Sequence, residues 1–128
     1  MISIERRSAR ATMALAALLI LCAPLVSAES PYSPAVRKAL DAAFALEERD
    51  AVIASLVSGA GRQSLPADRQ GVLAVLAGYE ERIGLPAPAS KHYSEAAWAD
   101  PAARNDSLLL DGARCAFAAG DFAQADSL

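Results

Sequence analysis

Residues 108–125 read LLLDGARCAFAAGDFAQA: an apolar helical pattern, a Gly-Asp pair, and a second helical start. Leu108, Leu109, Ala113, Ala116 and Phe117 recur at spacings of about three and four, which places them on one face of a helix. Gly120 stands where a glycine can take positive φ and close that helix. Asp121 can cap the next one by accepting a backbone N–H from Ala123 or Gln124. The stretch therefore predicts two antiparallel helices joined by a tight turn. Two short helices cannot bury both their faces alone, so the question is whether the pattern recurs.

It recurs upstream. In order, Leu109, Ala113, Gly120, Phe122 and Ala125 match Leu73, Ala77, Gly84, Pro86 and Ala89, each 36 residues earlier. Tyr93, Ala97 and Pro101 continue the earlier copy. This succession resembles the tetratricopeptide repeat, whose period is about 34 residues. The chain departs from that pattern at Pro86, where an aromatic is usual, and at Glu80. GLPAPAS, residues 84–90, suggests a turn wider than the family's. The resemblance covers Arg69 onward. It implies an all-α chain of antiparallel hairpins stacked as a short right-handed solenoid.

Outward from this core, residues 29–66 read as an N-terminal block holding a degenerate repeat. Ser33 before Pro34 is a helix start. Val36, Leu40, Ala43 and Leu46 or Glu47 then follow helical spacing. Glu47-Glu48-Arg49-Asp50 interrupts the pattern, and Val52, Ile53, Leu56 and Val57 resume it on a shifted face. A single long helix competes with a hairpin turning near Glu48 and capped by Asp50. The hairpin is preferred, because a frame from Ala35 places Ala42, Ala54 and Pro66 at repeat positions. Residues 67–128 carry the clearer hairpins. Helices are expected over 67–84, capped by Asp68 with Val72, Leu73, Leu76, Ala77 and Tyr79 or Glu80 inward, and over 87–99, with Tyr93, Ala96, Ala97 and Trp98 facing inward. Asn105 or Asp106 caps the helix after these. The last helix starts at Phe122 and stops at Leu128 in mid-repeat, so the sequence reads as a truncated array or part of a longer one.

Residues 1–28 have the form of an export signal. Arg6, Arg7 and Arg10 precede the apolar run 11–26, and Val26-Ser27-Ala28 fits the cleavage rule. Cleavage near Ala28 would deliver a periplasmic or secreted protein. The whole chain has 12 basic and 15 acidic residues. Without the three Arg and one Glu of residues 1–28, nine and 14 remain, a net charge of −5. An acidic surface without a basic stripe argues against nucleic-acid binding. With Cys22 in the signal, Cys115 stands alone and reads as a small buried residue rather than a reactive thiol.

Chemistry is sparse. His92 reads as a solvated helix residue. Glu47-Glu48 and Glu80-Glu81 are sequence neighbours, which point to different helix faces, and read as surface charges. No set of residues has metal-ligand spacing, and no phosphate-loop, dinucleotide or nucleophile-elbow motif occurs. The expectation is a scaffold for a protein or peptide partner, without catalysis, cofactor or metal. By resemblance, the first helix of each hairpin lines a groove, here formed by Glu81, Arg82, Leu110, Arg114 and Phe117. Arg82 and Arg114 would hold a carboxylate, with Phe117 an apolar anchor. The plainer reading puts Phe117 in the core and both arginines in solvent. A different class of protein also fits: the helical N-terminal segment of a larger envelope or outer-membrane protein.

Overall fold

The computed structural model describes residues 31–128. The expected signal at 1–28 and its cleavage site lie outside the described residues. Six helices follow in order: α1 Pro34–Phe44, α2 Arg49–Gly61, α3 Pro66–Arg82, α4 Pro86–Ala99, α5 Asp106–Ala118 and α6 Phe122–Ser127. There is no strand among the described residues. Each helix packs on its neighbour in sequence, and α1 also touches α3.

Local chemistry sets most boundaries. Ser33 caps α1, its hydroxyl accepting from Val36 N–H, with Pro34 just inside the helix. The same hydroxyl donates to the Asp68 carboxylate at 2.8 Å, which ties the start of α1 to the first turn of α3. Asp68 is thus not the cap of α3. Leu65 holds that position in extended backbone, followed by Pro66, whose ring presets helical φ. Glu48, not Asp50, precedes α2, without a side-chain cap. Asn105 caps α5 and Asp121 caps α6, accepting from Leu108 and Gln124 N–H respectively. The α1–α2 break falls at residues 45–48, so the hairpin replaces the single long helix.

The α3–α4 and α5–α6 turns are built alike. Gly84 and Gly120 have φ of 85° and 81°. In the first, Leu85 N–H bonds Glu80 C=O and Gly84 N–H bonds Glu81 C=O. In the second, Asp121 bonds Ala116 and Gly120 bonds Phe117. This is the Schellman arrangement, in which a left-handed residue lets the chain satisfy two orphan carbonyls. The wide turn expected from GLPAPAS is not found. Residues 83–85 suffice, because Pro86 and Pro88 are both tolerated in the first turn of α4.

The buried positions recur as well. Val36 and Leu40 on α1 match Val72 and Leu76 on α3, 36 residues later. Val52, Leu56, Gly59 and Ala60 on α2 match Ala89, Tyr93, Ala96 and Ala97 on α4, 37 later. The frame from Ala35 does not match this recurrence, since Ala42 and Ala54 are exposed. One core joins the first two hairpins through Val36, Leu40, Leu56, Val72, Leu76 and Ala96. A second lies under α5, where Ala77, Ala89, Tyr93 and Cys115 meet. Leu56 and Leu76 are fully buried, each contributing roughly 1.5–3 kcal/mol. At the α4–α5 contact Ser90 donates from its buried hydroxyl to Gly112 C=O at 2.8 Å. Leu46, Val57 and Trp98, expected inward, are exposed, and so is Phe117, for which a groove anchor and a core position are the two readings.

Candidate functional site

The side chains that α3, α4 and α5 bring together lie around Glu81. The Arg114 guanidinium on α5 engages its carboxylate with both terminal nitrogens, Nη2 at 3.1 Å from Oε2. Tyr93 on α4 donates its hydroxyl to Oε2 at 3.1 Å, and the Cys115 thiol donates to the same oxygen at 3.2 Å. Arg114 Nη2 also reaches Asp111 at 3.2 Å. One carboxylate therefore fastens three helices.

This setting decides its chemistry. The Arg114 hydrogen bonds, opposed by burial and helped by Cys115 and Tyr93, hold the Glu81 carboxyl down at about 2. Burial, then the bond to Glu81, pushes the Tyr93 hydroxyl up to about 12. Burial and Glu81 push the Cys115 thiol up to about 11. The two carboxylates raise Arg114 above its usual value. At neutral pH the group holds an ionised carboxylate, a protonated thiol and a protonated phenol. A carboxylate this acidic is a poor base, and a thiol this weakly acidic is a poor nucleophile.

Next to Glu81, Glu80 is 2% exposed and its carboxylate pairs with His92 Nδ1 on α4. Neither residue is the solvated group expected. Burying a carboxylate without a partner is costly, and His92 meets that need. The spacing, which offers Tyr79 or Glu80 as the next inward residue after Leu73, Leu76 and Ala77 on α3, resolves to Glu80. Cys115 is buried as expected, but it faces Glu81, and His92 faces Glu80.

The five groove candidates are distributed as follows. Glu81 and Arg114 are consumed by each other, so Arg114 is not the open carboxylate holder expected. Arg82 remains exposed, giving only Nε to Gly78 C=O at 3.3 Å. It lines an open groove of about 310 Å³ with Tyr32, Gly71, Ala74, Val75 and Gly78. Leu110, 73% exposed, lines another groove of about 310 Å³ beside Trp98, Arg104 and Leu128. Arg104 lies over the Trp98 ring, 5.3 Å from its centroid. Phe117 is 66% exposed and meets Phe122 edge-on, with ring centroids 5.2 Å apart. It is not core.

Among the described residues no group of three or more His, Cys, Asp or Glu could hold a metal ion. No described helix is long and apolar enough to cross a membrane. Comparison with protein-family models, curated proteins and solved structures finds no match to this chain.

Proposed function

We propose that the chain is an exported scaffold of the tetratricopeptide type, its hairpins stacked as a short right-handed solenoid. It binds a protein or peptide partner along the α3 and α5 face and performs no catalysis of its own. Recurrence of buried positions at 36–37 residues and the matched turns at Gly84 and Gly120 support the repeat reading. Phe117 carries the binding reading. A phenylalanine that stays mostly exposed and meets another exposed phenylalanine edge-on gains little from folding. Together with Leu110 it offers an apolar surface to a partner. The Glu81–Arg114 pair serves as a brace that keeps α3 and α5 aligned. Arg82 supplies the open cation at the other end of the face.

Photo-crosslinking tests this in an envelope-exporting cell, with the reactive residue placed at Phe117, Arg82 or Lys91. The expected result is a discrete adduct from Phe117 and Arg82 and none from Lys91, with processing that leaves Glu29 as the first residue. Adducts that are equal at all three sites would sink the binding face.

A further inference from the structure

Away from the α3 and α5 face, α1 and α2 enclose a groove of about 370 Å³. Its walls hold Ala35, Ala39, Ala42 and Gly59, and its rim carries Lys38 and Arg62. Neither cation meets a carboxylate at ion-pair distance among the described residues. No acidic residue lines the groove. A basic rim over small apolar walls stands out on a chain whose net charge is −3.

The fold itself shows what kind of element such a face receives. By the 36- and 37-residue steps, Ala35, Ala39 and Gly59 correspond to Gly71, Val75 and Ala96. Those three are where the second hairpin meets the first. A Cβ at Gly71 would lie 3.6 Å from Val36, and Val75 and Ala96 belong to the core shared with Val36 and Leu40. In the second hairpin this face is covered by the helices of the first, which offer the apolar residues Val36, Leu40 and Leu56. In the first hairpin Ala35 is exposed on this face, while Ala39 and Gly59 pack closely against each other at the floor of the groove. The first hairpin differs at the rim, where Lys38 and Arg62 stand in place of Ala74 and Ala99.

We infer that the α1–α2 groove docks an amphipathic helix of a partner protein, with an apolar ridge on the small-residue walls and flanking carboxylates on Lys38 and Arg62. Small walls let a helix axis approach closely, and the two cations select its charge. The site is separate from the α3 and α5 face and does not depend on it.

The test uses the full chain and two labelled helical peptides. Both carry Leu along one face, flanked by Glu in one and by Lys in the other. Fluorescence anisotropy should show binding of the Glu peptide, weakened by salt, and none of the Lys peptide. Lys38→Glu with Arg62→Glu should weaken binding by about tenfold or more, as should Ala35→Trp, which fills the groove from an exposed position. All variants should keep the parent circular dichroism. Equal binding of both peptides, or unchanged binding by the charge-reversed variant, would overturn the inference. So would binding that appears only when residues 1–30 are deleted, since that segment would then be the occupant. Self-association abolished by Lys38→Glu and Arg62→Glu would give the groove to a second copy and also overturn it. Loss of photo-crosslinking at Phe117 would leave this result untouched.

Discussion

The turns after α3 and α5 have the same backbone and opposite side-chain fates. Glu80 and Glu81 supply the carbonyls that close the first turn, and Ala116 and Phe117 supply those that close the second. In the first, two carboxylates turn inward and are satisfied by His92, Arg114, Tyr93 and Cys115. In the second, a small residue is buried and an aromatic ring stays in solvent. The difference is coverage. α3 is packed by α2 on one side and by α4 on the other, with α5 side chains reaching it. Phe117, 66% exposed, meets Phe122 on the short α6, none of whose residues is buried. Backbone geometry repeats because glycine and hydrogen bonds enforce it locally, whereas side-chain roles follow the neighbours.

The sharpest way to break the comparison is His92→Ala. It leaves the buried Glu80 carboxyl without its partner and should cost about 1–3 kcal/mol. Urea unfolding followed by circular dichroism reads this. A midpoint equal to the parent would mean that Glu80 has no need of His92.

Next come the two glycines. Gly84→Val and Gly120→Val both force a β-branched residue into left-handed backbone, at a cost of about 1–2 kcal/mol. The Gly84 variant should lower the global midpoint, since α3 and α4 carry both cores. The Gly120 variant should mainly speed hydrogen exchange from residue 120 onward. If both lower the midpoint equally, the last hairpin is as integral as the middle one.

Acid reads the Glu81 brace. Its carboxyl titrates at about 2 in the folded chain and near the usual value, roughly 4.3, when unfolded. The unfolded state therefore binds the proton first. The brace contributes fully above about pH 5, and its contribution is lost as pH falls toward 2. Unfolding midpoints measured from pH 6 down to pH 3 should fall for the parent and fall less steeply for Glu81→Gln. Parallel slopes would show that Glu81 is not linked to stability.

The smallest effect belongs to Phe117→Ser. An exposed ring contributes little to folding, so the midpoint should shift within about 0.5 kcal/mol. A larger loss would place Phe117 among the structural residues and remove the main support for the binding face.

Much of the path of the chain is legible from short range. Ser33-Pro34, Asn105, Asp121, Gly84 and Gly120 act through their own φ preferences and hydrogen bonds over one turn. They announce helix ends without knowledge of the rest. The rows Val72, Leu73, Leu76 and Ala77 and Leu109 and Ala116 likewise identify packed helix faces. The α1–α2 frame was less legible because its turn lacks glycine, and the frame from Ala35 puts the exposed Ala42 and Ala54 at core positions. Of the site, Cys115 was readable as buried, but Glu81 as a hub was not.

The sequence by itself determined an all-helical chain with glycine-closed turns, because caps, turns and apolar periodicity are properties of neighbours along the chain. Only the tertiary structure decided that Glu80 is buried on His92, that Arg114 is spent on Glu81, and that Phe117 is open to solvent. Those outcomes depend on which helix lies across from each side chain. The partners are 12 and 33 residues away in sequence, and the packing of α3, α4 and α5 brings them into hydrogen-bond range.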